Sequence, residues 1–168
     1  MVASLAVATG WAQTDGVELV TIHDDLAATR GPLVSPDWYR ADVFPWYRRI
    51  FAAIHERGKK VLFVCDGNYA PLLDDLVAAG ADGLYIESSS MDPEPFMRQA
   101  GSDKLFLLKT DSRNIDFGTP EDIRRELAKL RDLHQEFPGM MIYRGGGDPL
   151  PGNAEAFERY YRQLLVYG

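Results

Sequence analysis

The chain has 168 residues, 46% of them hydrophobic and 26% charged, which suits one globular domain with a real core and excludes a disordered polymer. A formal net charge of -7 with no basic stripe excludes the clustered Lys and Arg that non-specific nucleic-acid binding needs, so no nucleic-acid partner is expected. One cysteine cannot make an internal disulfide and no apolar run approaches the ~20 residues of a membrane span, so the expectation is a cytoplasmic protein with no membrane partner.

In chain order, Met1 to Gln13 is apolar and rich in small residues but lacks the basic start of a secretory leader, and it reads as a helix closed by Thr14-Asp15-Gly16. Val17 to Ile22 is the first strand, with His23-Asp24-Asp25 at its end. Gly31 to Val34 reads as loop. Ser35-Pro36-Asp37 then starts a helix: a hydroxyl cap, a proline where no backbone donor is needed, and an acid at the positive end. Pro45 marks a break or second start, after which Trp46 to Arg57 is helical and Gly58 closes it.

Val61 to Val64 is a buried strand that stops at Cys65-Asp66-Gly67-Asn68. Pro71 to Ala79 carries Leu72, Leu73, Leu76 and Val77 at helical spacing and ends at Gly80. Leu84 to Ile86 is the third strand, ending in Glu87 and three serines; Pro93 to Gln99 is at most two helical turns. Leu105 to Leu108 is the fourth strand, and Lys109, Asp111 and Arg113 follow it. Thr119 opens a long helix to about Glu136, buried through Ile123, Leu127, Leu130 and Leu133. Met140 to Tyr143 is the last strand, Arg144-Gly145-Gly146-Gly147 its end, and Asn153 caps a final helix to about Tyr167.

Strand and helix alternate, which predicts an α/β fold of parallel strands joined by right-handed crossovers with helices outside. In such folds ligands meet the carboxyl ends of the strands, where these polar tips stand. Five strands cannot close a (β/α)8 barrel, which typically takes ~250 residues, so the expectation is one domain over residues 1–168 forming part of a TIM-type barrel.

Five short segments together carry a resemblance: His23-Asp24-Asp25-Leu26, Gly31 to Pro36, Asp66-Gly67-Asn68, Ala79 to Gly83, and Pro149 to Asn153. From Val17 to Leu164 the chain resembles the C-terminal part of the uroporphyrinogen decarboxylase superfamily, which includes decarboxylases of tetrapyrrole synthesis and zinc methyltransferases working with corrinoid proteins. The resemblance implies the last five strands of a (β/α)8 barrel, incomplete on the N-terminal side. It also implies decarboxylation of a carboxylated, tetrapyrrole-like small molecule without a cofactor. The alternatives are methyl transfer with a corrinoid protein, or a half-barrel that needs a partner such as a second copy. The early arginines and aspartate of the decarboxylases have no counterpart here, and Arg144 is followed by glycines where a histidine is expected. Where the methyltransferases carry a His-x-Cys zinc pair, this chain reads Phe63-Val64-Cys65; Cys65 with Glu87, Asp111 or His23 is the remaining zinc option.

Asp25, Asp66 and Asp111 are the expected proton carriers, as carboxylates at strand ends. Strand alternation lets only one of Asp24 and Asp25 face a central site, and Asp25 is chosen. His23 is an acid, base or hydrogen-bonded histidine. Gly67 lets backbone approach a ligand, while Asn68 offers a donor and an acceptor. Glu87 shares the rim. Lys109, Arg113 and Arg144 are the basic residues at strand ends that a carboxylated substrate requires, and the amides of Gly145 and Gly146 extend the anion site.

Overall fold

The computed structural model describes residues 2–166, so Met1 and Tyr167, the expected outer limits of the first and last helices, lie outside the described residues. The first half runs α1 (Val2–Ala12), β1 (Leu19–His23), β2 (Ala27–Ala28), β3 (Gly31–Pro32), α2 (Pro36–Asp42), α3 (Phe44–His55), β4 (Lys60–Val64) and α4 (Leu73–Ala79). The second runs β5 (Gly83–Glu87), α5 (Pro93–Ala100), β6 (Leu105–Lys109), α6 (Ser112–Ile115), α7 (Pro120–Glu136), β7 (Met140–Tyr143) and α8 (Asn153–Tyr161). Five strands form one parallel sheet in the order β1-β4-β5-β6-β7, with β1 and β7 as its edges. The sheet does not close, and the fold is the expected part of a (β/α) barrel.

Local chemistry explains most boundaries. The Ser35 hydroxyl accepts the Trp38 N–H at 3.3 Å and Pro36 takes the first turn of α2. Thr119 and Asp122 form a reciprocal capping box at α7. Four details differ from expectation. The antiparallel ribbon β2–β3 stands where loop was read, and α3 starts at Phe44 because Pro45 fits its first turn. A short 3-10 turn, Ala70–Leu72, precedes α4. The cap of α8 is Gly152, since Asn153 is buried and spends its amide on the carbonyls of Ile115, Asp116 and Gly118.

Residues paired across parallel strands point to the same side, so the register sorts the sheet into two faces. Val20, Val61, Phe63, Leu84, Ile86, Phe106, Leu108 and Met140 lie on the face that helices cover, all in one core cluster. Phe63 is fully buried there, with ring centroids of Tyr47, Phe51 and Tyr69 at 5.4, 6.5 and 6.1 Å. The opposite face carries Thr21, Leu62, Val64, Tyr85, Leu107, Met141 and Tyr143. Leu62 and Tyr85 in its middle are buried, whereas Met141 and Tyr143 on the β7 edge are 46% and 49% exposed. Gly83 makes this face possible: a Cβ there would lie 3.0 Å from both Leu62 and Leu105 side chains.

Phe63→Ala removes the ring on which three aromatic neighbours pack, and is expected to cost about 3–5 kcal/mol, read as a lower urea midpoint at unchanged slope.

Candidate functional site at the strand tips

The same register delivers the polar tips to the open face. Glu87 pairs with Lys109 and Lys109 with Tyr143, while His23 pairs with Val64. Carried two residues further, the register aligns Asp25 with Asp66 and Asp66 with Glu87, so one row of side chains crosses all five strands: Asp25, Asp66, Glu87, Lys109, Tyr143. His23 sits one layer below Asp25.

Three of these groups converge. One ligand atom each from His23, Asp25 and Asp66 lies within 4.8 Å of the others, and His23 Nε2 is 3.3 Å from Asp25 Oδ1. The Asp66 N–H donates to Asp25 Oδ1 at 3.2 Å, tying the tips of β1 and β4 together. Asp24 points the other way and accepts the Tyr47 hydroxyl at 2.7 Å. Burial, followed by that bond to Asp24, raises the Tyr47 phenol well above its ordinary value.

The loop after β1 is held down by buried donors. The Leu26 N–H donates to Cys65 Sγ at 3.3 Å and the Tyr39 hydroxyl to the Leu26 carbonyl at 2.7 Å. Gly67 has φ +80, and a Cβ there would lie 2.8 Å from backbone atoms of Ala27 and Ala28. Its role is therefore close contact with the β2–β3 ribbon, and its N–H donates to Glu87 Oε2 at 3.1 Å. Asn68 serves the same turn: its N–H reaches the Ala28 carbonyl and its Oδ1 accepts the Ala70 N–H.

Glu87 is the hub of the row's other half. Lys109 Nζ lies 2.8 Å from its Oε1, and the Ser90 hydroxyl donates to Oε2 at 2.8 Å. Burial raises the Glu87 carboxyl, but the bonds from Lys109, Ser90 and the Gly67 N–H outweigh it and hold the group below its ordinary 4.5. Next to it, burial and then the charges of Asp66 and Glu87 raise the Tyr85 phenol.

The other expected site residues are engaged elsewhere. Asp111 caps α6 and is gripped by Arg113, whose Nε lies 2.9 Å from Oδ1, so its carboxyl is held below its ordinary value chiefly by that guanidinium. Arg144 Nη1 lies 2.7 Å from Oδ1 of Asp116, a fully buried acid whose Oδ2 has no hydrogen-bond partner among the described residues. A Cβ on Gly146 would lie 1.9 Å from that Oδ2, so an internal carboxylate fills the space beside the glycines that sequence reasoning reserved for a substrate anion. Lys109, Arg113 and Arg144 are thus each paired within the chain. Asp111 instead lines a cavity of about 530 Å³ between the Ser88–Pro93 loop and α7, where burial raises the Glu126 carboxyl.

Sequence reasoning missed Tyr143, Tyr85, Tyr47, Asp116 and Glu126. Strand parity from Lys109 would have found Tyr143. The acids give no such signal, because Asp116 lies between the fourth strand's end and the helix opened by Thr119 and Glu126 lies on that helix, and neither shows its partners until the tertiary contacts are known.

Cys65 stands apart from the cluster. Its side chain is fully buried on the helix-covered side with Phe63, and burial pushes the thiol up to about 11. The positions two residues apart that face the open side are Val64 and Asp66, so the comparison of Phe63 and Cys65 with a zinc pair fails on direction as well as on identity. Among the described residues the metal-capable group is His23, Asp25 and Asp66.

The fold is thus a partial parallel α/β barrel with an acidic cluster on its strand tips, and its family is specific. The model of the uroporphyrinogen decarboxylase (URO-D) family matches residues 3–144, and the chain belongs to that family. Among solved structures it is similar to a methyltransferase from Methanosarcina mazei, with a TM-score of 0.71 at 18% identity over 99% of this chain and 47% of that one. It is also similar to the HpcH/HpaI aldolase from Desulfitobacterium hafniense DCB-2, with a TM-score of 0.52 at 15% identity over 96% of this chain and 70% of that one. These likenesses establish the fold, and the chain spans about half the length of the methyltransferase. No curated protein matches it.

Two outcomes follow from the geometry. Cys65 is expected to resist a thiol reagent at about pH 8 in the native protein and to react at once in urea, measured by release of the reagent's chromophore. Because the Glu87 carboxyl is lowered in the folded state, its bonds stabilise the protein above pH 4.5 and are lost as pH falls through the lowered value. The urea midpoint of Glu87→Gln should therefore fall less than that of the parent between about pH 6 and pH 3.

Proposed function

We propose that the tips of β1, β4, β5 and β6 form a small-molecule site that decarboxylates a carboxylated, tetrapyrrole-like substrate without a cofactor. The observation that carries this reading is the convergence of His23, Asp25 and Asp66 beside the Glu87–Lys109 pair on one row of strand tips. Loss of CO2 leaves the bonding electron pair on the substrate carbon, and a carboxyl group within reach returns a proton to it. Asp25 and Asp66 take that role; Asp111, locked by Arg113, does not. Family membership supports the reaction class, with porphyrin synthesis in the cytoplasm as its setting. The chain has no described helix long and apolar enough to cross a membrane.

A second reading, methyl transfer with a corrinoid protein, draws on the likeness to the Methanosarcina methyltransferase. The burial of Cys65 weighs against a thiolate-held zinc in it. In either case the exposed edges β1 and β7 leave room for further polypeptide, a second copy or another chain, on the open side.

The test is incubation of the full chain with uroporphyrinogen III. Coproporphyrinogen is the expected product, with Asp66→Asn lowering kcat about 100-fold or more while the unfolding midpoint stays in place. No product from the parent chain overturns the decarboxylase reading; demethylation of a methylated corrinoid protein would favour the second.

A further inference from the structure

We infer that the cavity between the Ser88–Pro93 loop and α7 is a binding site for a small primary amine with an apolar body. The inference does not rest on the decarboxylase reading, since none of Asp25, Asp66, Glu87, Lys109 and Tyr143 lines this cavity. Its volume of about 530 Å³ is far more than a single ion needs and falls within the roughly 300–1,000 Å³ of small-molecule sites.

Charge selects the ligand's head group. Three of the four acids that line the cavity already hold a cation: Asp92 pairs with Lys129 at 3.5 Å, Asp122 with Arg125 at 2.9 Å, and Asp111 with Arg113. The fourth, Glu126, forms no ion pair among the described residues. Its Oε1 accepts the Asp111 N–H and its Oε2 the Asn114 side-chain N–H, both at 2.7 Å, so neutral donors orient the carboxylate and leave each oxygen free to accept again. Burial is the main influence on that carboxyl and raises it, as expected for a charge without a partner. An ammonium group supplies the partner. A carboxylate or phosphate would instead meet four acids against Arg125 and Lys129, both of them already paired.

The rest of the lining selects the body and the kind of amine. Met91, Pro93 and Leu130 are buried and give the cavity an apolar wall. Ser88 also lines it, and its Oγ is shut off from water with no hydrogen-bond partner among the described residues. Rotation about one side-chain bond turns that hydroxyl toward a ligand and breaks no existing bond. A primary ammonium has three N–H donors for Glu126 and Ser88. A quaternary ammonium is recognised by aromatic rings, and no described aromatic residue lines this cavity.

The test titrates the full chain with hexylamine, hexanol and hexanoate, which share one apolar body and differ in head group, followed by amide proton–nitrogen NMR spectra. Hexylamine should saturate one site and shift the amides of Ser88 to Met91 and of Glu126, with hexanol at least about tenfold weaker and hexanoate without effect. Glu126→Gln should weaken hexylamine about tenfold or more, and Asp148→Asn, an exposed acid outside the cavity, should leave it unchanged. Equal binding of hexylamine and hexanol, shifts spread over surface acids without saturation, or amine binding that survives Glu126→Gln overturns the inference. The three probes are compared on the parent chain, so the result stands even where Glu126→Gln fails to fold. No porphyrinogen is present, so this failure is separable from a failure of the decarboxylase reading.

Discussion

The molecule depends on the shared register of five parallel strands. Parallel pairing puts partners on the same side, so the registers of the four neighbouring pairs together determine which residues of each strand meet the helices. Slipping any strand by one residue would send its Phe or Leu to the open face and its polar tip into the core. The core residue Phe63 and the tip residue Asp66 are therefore set by one constraint: three positions apart, they must point in opposite directions.

That constraint explains why the rim is built from internally balanced charges. The tips of parallel strands lie roughly 4.8 Å apart, close enough for neighbouring side chains to bond. Glu87 and Lys109 are direct partners in the register and pair at 2.8 Å. Asp25 and Asp66 meet the same way but with like charge, so the row is neutral on one half and negative on the other. The loop that carries Asp25 is held by sulfur and phenol donors and acceptors from the helix-covered side, which is what Cys65 does in this chain: it accepts the Leu26 N–H and donates to the Asp66 carbonyl at 3.1 Å.

The fold was legible because its signals are local and repeated. Alternating apolar runs and helix starts such as Ser35-Pro36 and Thr119-Pro120 place every sheet strand and all but the shortest helix, and the family resemblance adds the barrel. The site was legible in part. Strand parity separates Asp24 from Asp25 without any structure, but it needs the end of the strand, and β1 extends one residue further than its apolar run, through His23. What could not be read was pairing. That Arg144 answers Asp116 and that Asn153 bonds three carbonyls from another segment depend on contacts 28 to 38 residues apart in the chain. At Cys65 the sequence leaves a zinc option open beside a plain buried thiol, and its burial on the Phe63 side weighs for the latter.

The open face of the unclosed sheet is covered unevenly. Burial on it falls from the centre outward, with Leu62 and Tyr85 at 4% and 5% exposure and Met141 and Tyr143 near half exposed on the β7 edge. Gly83 permits this, since its missing side chain lets Leu62 and Leu105 close over the strand between them. The middle of the face is thus the best covered, with Val64, Leu105 and Leu107 half-buried around it and Met141 and Tyr143 of the β7 edge the most exposed. The acidic cluster of His23, Asp25 and Asp66 lies at the β1 side of this face, on exposed side chains at the opposite edge from Met141 and Tyr143.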